Sequence, residues 1–142
     1  LDSNLSIPIK KRIFNSKKRK IYIFHKKNIC QKKLNRFNKS KVTLLAINQK
    51  KNLLDINEIL LKMGEIGIQR VLVEGGAKLM SQLSKENLID VLYWFRASKI
   101  NGKTRKNTVT GLRVSKVNYI KGLKLENTMQ IKSDNLEVYV KR

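Results

Sequence analysis

The stretch Val71-Leu72-Val73-Glu74-Gly75-Gly76-Ala77 constrains the chain more than any other. Its apolar, largely β-branched run predicts a buried strand over residues 68–73, and Leu79, Met80 and Leu83 at helical spacing predict a helix from about Gly76 to Lys85. The turn between them carries two glycines, which admit positive φ and let a ligand approach the backbone closely. The unpaired N–H groups of the following helical turn favour an anion. Glu74 stands at the C-terminal edge of the predicted strand, where open α/β sheets place their ligands. One carboxylate for a donor-rich ligand and one cradle for a phosphate therefore lie side by side. A Gly-Gly pair is also an ordinary tight turn between strand and helix, so the stretch alone leaves both readings open.

The flanking elements fit an α/β sheet. Pro8, the only proline, predicts an extended connection up to Phe14. Residues 20–25 are β-branched and aromatic and predict the first strand. His25, the only histidine, ends that strand and reads as its polar terminus, with no metal-spaced partner. The polar, basic segment that follows, anchored by Ile29, Leu34 and Phe37, reads as a short irregular or helical excursion. A second strand is predicted over residues 41–47. A helix follows from Asp55, with Glu58 as its capping-box partner and Gly64 and Gly67 at its end. This helix and the strand at 68–73 make a βαβ unit with a right-handed crossover. Residues 91–97 predict an aromatic strand whose Tyr93, Trp94 and Phe95 serve as core, and Lys99 to Thr110 reads as a mobile loop. Leu123 to Ile131 and Leu136 to Val140 alternate cleanly and close the chain as a hairpin, with Lys132-Ser133-Asp134-Asn135 as its turn. The resulting sheet is mixed, mostly parallel with a C-terminal antiparallel hairpin, and flanked by helices.

Composition excludes several classes. The 142 residues suffice for one domain, and no apolar run approaches the roughly 20 residues that a membrane-spanning helix needs, so a cytoplasmic protein is expected. The single Cys30 has no disulfide partner within the chain and no Cys/His companions for zinc. A net charge of +22 points towards nucleic acid. Lysine far outnumbers arginine, however, and aromatics are only 6%, against the bidentate contacts and stacking that nucleic-acid readers use. A basic nucleic-acid-binding module stays as the alternative function. The glycine turn is neither G-x-G-x-x-G nor a phosphate-binding P-loop, and no G-x-S-x-G elbow occurs, which favours a protein that binds and orients a cofactor.

The segment Val71-Leu72-Val73-Glu74-Gly75-Gly76-Ala77-Lys78-Leu79, followed by Leu88-Ile89-Asp90-Val91-Leu92 and the aromatic strand, closely resembles the reductase domain of the bifunctional riboflavin biosynthesis deaminase-reductase. The opening Leu1-Asp2-Ser3-Asn4-Leu5-Ser6-Ile7-Pro8 and the closing hairpin are similar too. The resemblance implies a dihydrofolate-reductase-like fold and NADPH-dependent reduction of 5-amino-6-(5-phosphoribosylamino)uracil, a pyrimidine ribosyl phosphate. It further implies that Glu74 contacts substrate. Ser3, Gly76, Ala77, Lys78, Leu79, Met80, Ser81 and Gln82 would contact the cofactor, with no metal. Family members carry an upstream strand and helix and usually a deaminase domain. The chain is thus expected to be a single, N-terminally truncated reductase domain over residues 1–142, possible homodimer partner included, weak or inactive alone. A structural remnant that binds neither cofactor nor nucleic acid is the third reading.

Overall fold

A computed structural model describes residues 1–15, 19–38, 41–96 and 120–142. The chain divides into two compact units, Leu1–Val71 and Leu72–Arg142.

In the first unit, β1 (Ile21–Lys26) and β2 (Val42–Ile47) pair in parallel, with Ile21 opposite Val42 and Lys26 opposite Ile47. A parallel pair needs a crossover rather than a tight turn. The connection holds α1 (Gln31–Asn35), so the predicted excursion contains a short helix. It is anchored by Phe37, which is buried with Leu5 and Ile23 in one cluster against which Ile29, Leu34, Val42 and Leu44 pack. The Phe14 and Phe37 rings meet edge to face at 6.0 Å. The N-terminal connection is less extended than Pro8 suggested. Lys11 N–H bonds back to Pro8 O, and a 3-10 turn follows over Arg12–Asn15. Fixed φ at proline suits the start of a turn as well as an extended chain.

After β2 the chain makes a miniature hairpin, β3 (Gln49–Lys50) with β4 (Leu53–Leu54), then enters α2 (Ile56–Glu65). Lys51 and Asn52, its two loop residues, both sit at positive φ, as a type I′ turn requires. Asp55 caps α2 by accepting the N–H groups of Asn57 and Glu58. The helix ends in a Schellman motif: Gly67 at φ 85° donates to Gly64 O and Ile68 N–H reaches Met63 O. Gly67 thus ends the helix as anticipated, while Gly64 lies inside its last turn.

The second unit holds α3 (Ala77–Lys85) and an antiparallel sheet of β5 (Val91–Arg96), β6 (Leu123–Ile131) and β7 (Asp134–Lys141) in the order β5-β7-β6. α3 closes with a second Schellman motif, in which Asn87 at φ 55° donates to Ser84 O and Leu88 N–H to Leu83 O. β5 alternates: Leu92 is buried, whereas Tyr93 is 57% and Phe95 66% exposed, so these two aromatics are not the core residues expected. Period-2 geometry sends neighbours to opposite faces, which a continuous aromatic run conceals. The β6–β7 turn also differs from expectation. Ile131 already pairs with Asp134, leaving Lys132 and Ser133 as the loop, with positive φ at Lys132.

Two expectations about the sheet need correction. Residues 68–73 form no strand. Val71 is 45% and Leu72 78% exposed, not buried, and the boundary between the units falls between them. β-branched composition gives an extended preference, but a strand exists only through a hydrogen-bonded neighbour, and none is made by residues 68–73 among the described residues. Without it, α2 and this segment do not complete the predicted βαβ unit. Parallel pairing is also less extensive than expected, with one parallel ladder and three antiparallel ones among the described residues. The loop predicted over Lys99 to Thr110 lies outside the described residues.

Candidate functional site

In the second unit the Gly-Gly turn leads directly into α3. Gly76 is the N-cap residue at φ 73°, ψ 120°, a conformation that disfavours any side chain, and a Cβ there would meet no atom within 4 Å. The turn is therefore open above the backbone. No side chain caps the helix and no acid lies in its first turn, so its leading N–H groups face outward with the positive end of the helix dipole. Lys78 is exposed in that same turn, Ala77, Leu79, Met80 and Gln82 are half-buried, and Ser81 is buried with Leu83. Glu74 is exposed immediately before the glycines. These residues fit a phosphorylated dinucleotide: an uncapped helix start, a glycine cradle and one lysine for the anion, with a carboxylate alongside.

Ser3 belongs to the other unit. Asp2 N–H donates to Phe24 O at 3.0 Å and Lys26 N–H to Ser3 O at 3.1 Å, so the opening residues follow the end of β1 and bring Ser3 to its C-terminal edge. The turn after Ser3 is held by Asp2. Its carboxylate accepts Ser6 Oγ at 2.9 Å and Ile7 N–H at 2.8 Å, while Leu5, at φ 47°, is fully buried beneath. Burial alone would push the Asp2 carboxyl up, but the Ser6 and Ile7 amides and the Ser6 hydroxyl together hold it below its ordinary value. The Asp-Ser pair thus has a mechanical meaning: the aspartate builds the turn that presents the serine. His25, read as the polar terminus of β1, is its penultimate residue and is buried.

Among the described residues no three His, Cys, Asp or Glu side chains gather where a metal ion could sit. No described helix is long and apolar enough to cross a membrane.

The parallel pair, the glycine turn into α3 and the antiparallel closing sheet belong to a mixed α/β fold of the dihydrofolate-reductase-like kind. The model of the RibD C-terminal domain family matches residues 1–136, and the chain belongs to that family. The riboflavin biosynthesis protein RibD of Actinobacillus pleuropneumoniae is 25% identical over 140 residues, covering 98% of this chain and 37% of that protein. Form 1 of Acinetobacter baumannii RibD superposes with a TM-score of 0.71 at 18% identity, covering 99% of this chain and 36% of the other. A diaminohydroxyphosphoribosylaminopyrimidine deaminase/5-amino-6-(5-phosphoribosylamino)uracil reductase from Thermotoga maritima gives 0.63 at 22% identity, covering 92% and 33%. The two structures speak to the fold alone. The chain spans about a third of the length of these relatives.

Proposed function

We propose that residues 1–142 form the reductase module of riboflavin biosynthesis, using NADPH to reduce 5-amino-6-(5-phosphoribosylamino)uracil to its ribitylamino product in the cytoplasm. Membership of the RibD C-terminal domain family over residues 1–136 is the observation that carries this reading. In it, residues 76–82 hold the cofactor's phosphates and ribose, Ser3 contacts the cofactor from the end of β1, and Glu74 accepts hydrogen bonds from the donor-rich pyrimidine. NADPH, when bound, supplies the hydride. The protein's own contribution is alignment, since hydride delivery needs the donor and acceptor carbons held in register. A deaminase domain and a second copy of the chain are the partners of this proposal.

The test is NADPH oxidation with the pyrimidine substrate, measured beside direct NADPH binding. Glu74→Gln should weaken substrate binding about tenfold or more, the effect of losing a charge-assisted hydrogen bond, and leave NADPH binding intact. Unchanged substrate affinity and turnover would remove Glu74 from the site. Absence of NADPH binding, together with tight, salt-sensitive binding to arbitrary DNA, would replace the reading with that of a nucleic-acid-binding module.

A further inference from the structure

We infer that His25 is a phosphate-contacting residue, presenting its Nε2 to an anionic oxygen of the bound ligand at the C-terminal edge of β1. The inference rests on the NADPH reading above for the identity of that ligand and on the geometry of the ring for the contact itself. His25 is only 4% exposed. Its Nδ1 lies 2.8 Å from Lys26 O, and because a carbonyl can only accept, Nδ1 carries the proton and the ring's orientation is set. Nε2 has no partner among the described residues, yet no described buried side-chain nitrogen or oxygen is left unsatisfied. The one polar atom of this buried ring that lacks a partner therefore reaches solvent. That arrangement leaves Nε2 accessible to a ligand.

The surroundings select the ligand's charge. His25 pairs with Ala46 at the same end of β1 and β2, the edge where parallel strands receive their ligands. Lys26 and Lys27 follow it, and Ser3 O accepts the Lys26 N–H, which brings the candidate cofactor serine to the same strand end. The nearest acid in sequence on that N-terminal segment, Asp2, has both carboxylate oxygens engaged by Ser6 and Ile7. Because Nδ1 is already committed to Lys26 O, Nε2 donates only from the doubly protonated imidazolium, and that cation among lysine, serine and backbone amides suits a phosphate. The cofactor and the substrate are its two sources.

His25 is the only histidine, so its ring nitrogens are assigned without ambiguity in long-range proton–nitrogen NMR spectra. Titrating the whole chain with NADPH, NADH and the pyrimidine ribosyl phosphate should move the Nε2 signal to saturation with at least one of them. A shift with NADPH and not NADH assigns the contact to the 2′-phosphate, a shift with both to the pyrophosphate, and a shift with substrate alone to its own phosphate. His25→Asn, which keeps a donor for Lys26 O and deletes the outer nitrogen, should weaken that same ligand by about tenfold, and His25→Gln should restore most of the affinity. An Nε2 signal that stays fixed while NADPH and substrate bind overturns the inference and leaves the reductase reading standing. Failure of the chain to bind any of the three overturns both.

Discussion

The Glu58 carboxylate accepts the backbone N–H of Asn48 at 2.8 Å, ten residues upstream. In a capping box that carboxylate would reach back to the N–H of its own N-cap residue, but Asp55 N–H instead donates to Asn48 O at 2.9 Å. Asn48 is therefore gripped through both backbone groups, and the end of β2 is fastened to the start of α2 across the small β3–β4 hairpin.

Removing that grip should loosen the first unit. Glu58→Ala is expected to cost about 0.5–1.5 kcal/mol in urea unfolding, whereas Glu58→Gln, which keeps an acceptor oxygen, should cost less than half of that. Equal losses in the two variants would show that charge, not the bond to Asn48, matters.

Acid should act on the turn that presents Ser3. The Asp2 carboxyl is held below its ordinary 3.8 in the folded chain, so its contribution is complete above that value and is lost as pH falls through the depressed folded pKa. Stability measured from pH 6 downward should fall less steeply in Asp2→Asn than in the unaltered chain. Parallel acid profiles would mean that the turn carries no proton linkage.

Alkali should act on the second unit. Burial first, then the Glu137 carboxylate bonded at 2.6 Å, push the Tyr139 hydroxyl above 10.0, with Arg96 opposing from its 3.0 Å ion pair to Glu137. Between the unfolded and folded pKa the native state keeps a proton that the unfolded chain has released, so stability declines as pH rises past 10.0. Tyr139→Phe should flatten that decline in a thermal-unfolding series.

The two glycines of the turn should separate cleanly. Gly76→Ala forces a side chain into φ 73° and is expected to cost about 1–3 kcal/mol and to weaken NADPH binding. Gly75 is not at positive φ and a Cβ there meets nothing, so Gly75→Ala should be close to neutral for stability. Similar losses at both positions would contradict a conformational role for Gly76.

What could be seen in the sequence was what local chemistry decides. Asp55 and Gly67 mark the ends of α2, Asn87 marks the end of α3, and β1, β2 and β6 fall within a residue of their predicted limits. What depends on partners was hidden. Residues 68–73 look like a strand by composition, and only the absence of a ladder partner among the described residues says otherwise. The turn at Lys51 and Asn52 lacks glycine, so its only trace in the sequence is Asn52, a residue that tolerates positive φ. The candidate site divides in the same way. Glu74 and the glycines announce themselves, whereas the burial of His25 and the work done by Asp2 on behalf of Ser3 appear only in the folded chain.

Glu126 is the surplus residue where β6 passes from the Leu125–Tyr139 pair to the Asn127–Val138 pair. Among the described residues β6 is an outer strand of its sheet, and an outer strand exposes a row of amides and carbonyls on which a neighbouring molecule can build. A bulge carrying an acid breaks that row's spacing and coils the strand away from flatness. A second molecule laid along β6 would meet that break in spacing at Glu126. Deleting Glu126 would leave every partner in the β6–β7 ladder unchanged, Leu125 still opposite Tyr139 and Asn127 opposite Val138, and would straighten the strand by removing the bulge alone, so this one residue shapes the edge without setting the register.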